Sequence, residues 1–321
     1  MERISLGNGE FEGRNNAYLF QGERPALVDT GLSTPDAHEE LVSSLSQYGV
    51  ALEDIELIVL THWHPDHAGL SGAFQRESRA TVKVHAADAD LVSASNQARE
   101  KLADTRDRLL DEWGTPPGQR DALIAFMEAS AHIQGEPPTV EPLSHGEKIQ
   151  VGDEHVEAIY APGHTVGHTC FSRSDGTILT GDALLPHYTP NIGGADPRVE
   201  DPLGTYIETL TKLMDASYER AYPGHRNPID DPNARAVTIL EHHDERAHLV
   251  FDILEEMGPA DAWTVSAELF GDLEGVHIIH GPGEAYAHLE HMRRRGLVDQ
   301  TDEGYVALPE NREELGKVIP V

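Results

Sequence analysis

The chain has 321 residues, room for one large domain and a small one, and 39% of them are hydrophobic, enough for a proper core. With 24 basic against 56 acidic residues its formal net charge is −32, which argues against nucleic acid and anionic membranes as partners. The single cysteine, Cys170, excludes an intramolecular disulfide. With no signal-like start and no long apolar run, a soluble, cytoplasmic protein is expected.

In chain order, Arg3 to Leu6, Ala17 to Gln21 and Ala26 to Val28 read as short strands, the last ending in the turn Asp29-Thr30-Gly31. Thr34 to Tyr48 reads as an amphipathic helix with Leu41, Val42 and Leu45 on one face. Ile55 to Leu60 is short, apolar and partly β-branched, the pattern of a buried strand, and Thr81 to His85 is another. From Ala87 to Gln134 the pattern turns helical, broken at Gly114-Thr115-Pro116-Pro117-Gly118. An insertion of this kind in an α/β frame is expected to cap a site. Strands resume at Lys148 to Val151, His155 to Tyr160, Thr169 to Arg173 and Thr177 to Leu179. A helix follows over Leu203 to Met214, a strand over Arg220 to Tyr222, and a long helix over Ala234 to Met257. His242 and His243 on that helix read as surface or packing residues.

From Pro259 the texture changes. Helices over Thr264 to Phe270 and Pro282 to Arg295, then a hairpin around Asp302-Glu303-Gly304, give a winged-helix outline. The domains are therefore read as 1–258, with 87–134 as a helical cap insertion, and 259–321. Leu289, Met292, Leu297 and Val298 give the tail an apolar face, expected to pack on the large domain or on a second copy in a homodimer. The acidic excess is spread along the chain. It reads as a solvated surface suited to halophilic conditions, because at 1 M salt the Debye length falls to about 3 Å and self-repulsion is screened.

The chemistry gathers at Thr61-His62-Trp63-His64-Pro65-Asp66-His67, directly after a predicted strand. In extended backbone His62 and His64 point to one side, while Asp66 and His67 lie past a turn and face a second point. Pro65 stops the strand, and Asp66 is placed to cap a helix from Ala68 to Arg76. Three later strand ends deliver His164, Asp182 and His225, each after a glycine that lets the backbone come close. Neutral imidazole and carboxylate are the ligands that zinc and similar metals prefer. His62, His64 and His164 are expected to hold one ion, Asp66, His67 and His225 a second, with Asp182 between them.

The four motifs THxHxDH, PGHTxGH, GD and PGH, in this order, resemble those of the metallo-β-lactamase superfamily, in its glyoxalase II-like hydrolase branch, over roughly residues 1 to 230. The resemblance implies an α/β fold, an αββα sandwich with a dinuclear site at one edge, and two Zn2+ (or Mn2+/Fe2+) per chain. It makes Asp29 a supporting residue and His168 a hydrogen-bonding neighbour rather than a ligand. The C-terminal portion resembles the winged-helix-like tail of the subgroup around β-lactamase-like protein 2, whose members include an endoribonuclease. Two metals about 3.5–4 Å apart can share a water and generate hydroxide near neutral pH. Asp66 is expected to orient it and pass a proton, with His187 and Tyr188 able to reach the substrate oxygen. The leading expectation is hydrolysis of a small-molecule ester, thioester or lactone. A metal-dependent ribonuclease or phosphodiesterase is the alternative, and an iron sulfur dioxygenase a minor one. A phosphodiester substrate calls for a basic track, whereas Arg293-Arg294-Arg295 reads as a charge complement to a helix C-terminus.

Overall fold

The computed structural model describes residues 1–8 and 13–319, so the tail read as ending at 321 is described to 319. The first half of the chain carries β1 (Glu2–Leu6), β2 (Asn15–Phe20), β3 (Ala26–Val28), α1 (Pro35–Gln47), β4 (Leu57–Val59), α2 (Pro65–Ala68), α3 (Ser71–Ser78), β5 (Thr81–His85), α4 (Ala86–Val92), α5 (Asn96–Glu112), α6 (Pro117–Ala129) and β6 (Val140–Leu143). The second half carries β7 (Lys148–Val151), β8 (Glu154–Tyr160), β9 (Thr169–Arg173), β10 (Thr177–Gly181), α7 (Pro202–Ala216), β11 (Arg220–Pro223), α8 (Pro232–Met257), α9 (Ala262–Phe270), α10 (His277–Arg294), β12 (Val298–Thr301) and β13 (Gly304–Ala307).

Strands β1 to β6 form one mixed sheet in sequence order, parallel from β3 onward. The order β11-β10-β9-β8-β7 forms a second sheet, with only β10 and β11 parallel. The sheets pack face to face through Tyr18, Phe20, Val28 and Val59 on one side and Val151, Val156, Phe171 and Leu179 on the other. Both faces of the central strands are therefore buried, which explains the continuous apolar runs. Outside the first sheet, Leu41 and Leu45 of α1 and Phe74 of α3 cover Leu19, Leu27, Ile58 and Val82. Outside the second, Tyr206 and Leu210 of α7 and Ile239 and Phe251 of α8 cover Cys170 and Ile178. This is the expected αββα sandwich.

The same outer cluster runs on into the tail without a gap, taking in Leu289 and Met292 of α10, Leu297 and Val298. The tail thus packs on the sandwich. His243 of α8 is a packing residue, fully buried, with its Nδ1 3.2 Å from His288 Nε2 of α10, while His242 is half-buried. Among the described residues, no helix is long and apolar enough to cross a membrane.

Two local readings are corrected and one strand is added. No single helix runs from Ala68 to Arg76 under an Asp66 cap. Pro65 takes the first helical position, which its fixed φ suits, in the one-turn α2, and His64 occupies the cap position. The Asp66 carboxylate is left for the site. The strand β6 was not anticipated, because Glu141-Pro142 breaks its apolar pattern; it lies at the sheet edge, where proline is tolerated. Helix α10 begins at His277, five residues before the expected Pro282, which lies inside it.

Candidate metal centre

Four ligand-bearing loops leave the C-terminal ends of β4, β8, β10 and β11, at the edge where the two sheets meet. Asp29, at the end of β3, holds the first loop closed. Its backbone takes a left-handed conformation (φ 60°), which aspartate tolerates better than most residues. From there its carboxylate accepts the backbone N–H and the Oγ1 hydroxyl of Thr61, each at 2.8 Å, and His67 Nδ1 at 2.8 Å. One buried carboxylate thereby ties both ends of the histidine motif together. Gly224 is required for close approach, since a Cβ there would run into Asp182 Oδ1 and the His67 ring. At Gly163 the missing side chain clears Tyr206 rather than the predicted ligands.

All seven predicted ligand residues converge. His64 Nδ1 lies 2.9 Å from His62 Nε2 and 3.1 Å from His164 Nε2. His225 Nε2 lies 3.4 Å from Asp66 Oδ2 and 3.3 Å from Asp182 Oδ2, and His67 Nε2 lies 3.4 Å from Asp182 Oδ1. Asp182 Oδ2 is also 3.8 Å from His164 Nε2, so this carboxylate touches both groups. Donor atoms of His62, His64 and His164, of His62, His67 and Asp182, and of Asp66, His67 and His225 form three sets, each fitting within 4.8 Å.

The outward ring nitrogens settle the tautomers. His64 Nε2–H donates to Ala195 O at 3.0 Å and His164 Nδ1–H to Asn191 O at 2.9 Å. The Thr61 hydroxyl is already donating to Asp29, so its oxygen accepts His62 Nδ1–H at 3.0 Å. His62, His64 and His164 therefore turn bare lone pairs on one another at hydrogen-bond distance with no proton between them. Burial pushes all three below the usual imidazole range, His64 to about 4, and the imidazoles reinforce one another. Facing them, burial alone would lower His67 and His225, yet Asp182 and Asp66 prevail and raise both, His225 to about 10. Burial would likewise raise the two carboxylates, and the same histidines hold them low instead. His67 Nε2 and Asp182 Oδ1 are buried without a hydrogen-bond partner. Lone pairs aimed at lone pairs, beside carboxylates and orphaned buried atoms, are what a cation relieves, and binding one would displace the protons of His67 and His225. The residues fit divalent metal.

The neighbours of this cluster were only partly foreseen. His168 accepts the backbone N–H of Asp182 at 3.0 Å through Nε2 and so fixes the carboxylate from behind. Asn15 Nδ2 donates to Asp66 Oδ2 at 3.1 Å. A buried charge network was missed altogether. Arg198 binds Asp88 at 2.6 Å and Asp196 at 2.6 and 2.8 Å. Asp88 in turn accepts Thr165 Oγ1 and Gly167 N, and Asp196 accepts Val166 N, so the network clamps the loop that carries His164. Burial raises the Asp88 carboxyl to about 6 against the pull of Arg198.

Over the cluster lies a cavity of about 420 Å³, reached by His64, Asp66, His164, Asp182 and His225. The predicted insertion walls it, through Leu102 and Arg106 of α5 and Leu123 and Phe126 of α6. His187 and Tyr188 do not reach it. Both side chains are exposed, Tyr188 by 48%, and the Arg226 guanidinium stacks on the Tyr188 ring at 4.6 Å while donating to its hydroxyl. Leu185, Pro190 and Asn191 line that wall instead.

Comparison with known proteins accords with this geometry. The family model described as "Metallo-beta-lactamase superfamily" matches residues 11–225. The "Probable metallo-hydrolase YqjP" of Bacillus subtilis is 28% identical over 294 residues, covering 89% of this chain and 90% of the relative. The "Beta-lactamase-like protein 2 homolog" of Drosophila melanogaster is 26% identical over 239 residues, 73% of this chain and 66% of the relative. Among solved structures, a metallo-beta-lactamase family protein of Thermus thermophilus superposes with a TM-score of 0.82 at 31% identity, covering 96% of this chain and 98% of the other.

Proposed function

Since the chain belongs to the metallo-beta-lactamase superfamily and is a metal-dependent hydrolase, we propose that it cleaves a small ester, thioester or lactone with two divalent ions, as a glyoxalase II-like enzyme. The observation that carries this reading is the set of inward lone pairs and carboxylates lying under a mainly apolar cavity. His62, His64 and His164 would hold one ion, Asp66, His67 and His225 the other, and Asp182 would reach both; zinc suits this donor set, with manganese or iron as substitutes. A bound pair supplies the Lewis acidity that makes water nucleophilic near neutral pH and polarises the acyl carbonyl.

The remaining work falls to the chain. Asp66 faces the cavity with one oxygen held by Asn15, and its carboxylate is placed to accept the proton that an attacking water gives up. Leu102, Leu123 and Phe126 keep bulk water from the acyl group. No thiol nucleophile competes: Cys170 is buried, burial pushes its thiol far up, and its S–H donates a hydrogen bond to Thr180 O. The walled cavity and the acidic surface favour a small substrate over a polynucleotide, and the same surface favours assay in molar salt.

The test is a panel of p-nitrophenyl esters, N-acetylcysteamine thioesters, lactones and single-stranded RNA, offered to the zinc- and manganese-loaded protein in molar salt. Turnover of at least one acyl class without RNA cleavage is expected. RNA cleavage with no acyl turnover would contradict the proposal.

A further inference from the structure

We propose that His280, on the first turns of α10, is a substrate-contacting residue, so that the C-terminal tail completes the active site. This rests on the acyl-hydrolase reading above. The tail reaches the cavity through Val276, Ile279 and His280. Of these, only His280 is polar. Its ring makes no hydrogen bond with any described residue, while its backbone oxygen accepts Asn191 Nδ2 at 3.1 Å. Asn191 is the residue whose own carbonyl fixes His164 Nδ1, so one side chain couples the tail to the metal centre.

Packing holds the backbone that carries the ring in place. Gly193 and Gly194 lie directly against α10: a Cβ on Gly194 would stand 2.5 Å from His280 Cα, and one on Gly193 would strike Gly283 O. The next residue, Ala195, supplies the carbonyl that orients His64. The loop 191–195 therefore braces two predicted ligands on one side and is pressed on α10 by the other. The helix backbone at His280 is thus packed directly on that loop, which places its side chain as positioning a substrate requires. An imidazole with a free ring N–H in an apolar pocket can donate to the oxygen of the scissile acyl group. The cavity's apolar walls then take the acyl chain.

His280→Ala and His280→Gln are to be compared with the unaltered protein on p-nitrophenyl butyrate, with metal content and Tm measured alongside. The alanine variant is expected to lose about tenfold to hundredfold in kcat/KM, the scale of one lost hydrogen bond to a reacting group, with metal content and Tm unchanged. Glutamine, which keeps a donor, should recover part of the loss. Unchanged kcat/KM in the alanine variant, loss of metal together with activity, or no recovery by glutamine would overturn the proposal. Calorimetric binding of hexanoate to the metal-loaded protein separates the two readings. If no ester is turned over but alanine still weakens hexanoate binding severalfold, the hydrolase reading fails and the role of His280 stands. If no ester is turned over and hexanoate affinity is equal in both proteins, that role is overturned as well.

Discussion

Replacing Asp66 with alanine is expected to lower kcat by about 10²-fold or more, the cost of removing one preorganised electrostatic group. Two functions meet in this side chain. Its Oδ2 lies 3.4 Å from His225 Nε2 and 3.8 Å from His67 Nε2, so it is one of the three groups proposed for the second ion. It also lines the cavity, where it is the carboxylate proposed to take the proton from water. Asp66→Asn keeps the shape and an oxygen while removing the charge, and should also lose most of kcat. Both variants are to be assayed on whichever substrate the panel yields, with metal content determined in parallel. Turnover of Asp66→Ala at the rate of the unaltered protein would refute the mechanism.

The second large effect is on stability. Arg198→Leu should cost about 3–5 kcal/mol, the range for removing one partner of a buried ion pair. The guanidinium meets Asp88 and Asp196, whose side chains are wholly buried, and donates to Ala87 O at 2.9 Å. Without it both carboxylates stay in the interior uncompensated, and the loop carrying His164 loses its clamp. Urea unfolding should show the midpoint falling, and the variant should bind metal more weakly. An unfolding midpoint equal to that of the unaltered chain would show that the network is not structural.

What could be read from the residues follows the distance over which they act. The convergence of the histidine motif was legible because strand, turn and candidate ligands occupy consecutive positions, and strand ends delivering His164, Asp182 and His225 follow the same local rule. The Arg198 network was not legible, since Asp88 and Asp196 are far apart in sequence and look like any other acid in so acidic a chain. His187 and Tyr188 follow Asp182 by five and six residues, but the chain turns outward there and Arg226 keeps Tyr188 on the surface. Pro282 obscured the start of α10. An interior proline costs a helix about 3 kcal/mol, and here that is offset by close packing of Gly281, Pro282 and Gly283, with Gly283 against the loop at Gly193 and Gly194. The first turns of α10, with His280, were therefore missed together with their place in the cavity.

The seven residues are proposed to hold two ions. Elemental analysis of protein loaded with zinc and then desalted measures this directly. About two equivalents per chain are predicted; a value near zero would contradict a metal centre, and a stable value near one would contradict the dinuclear account.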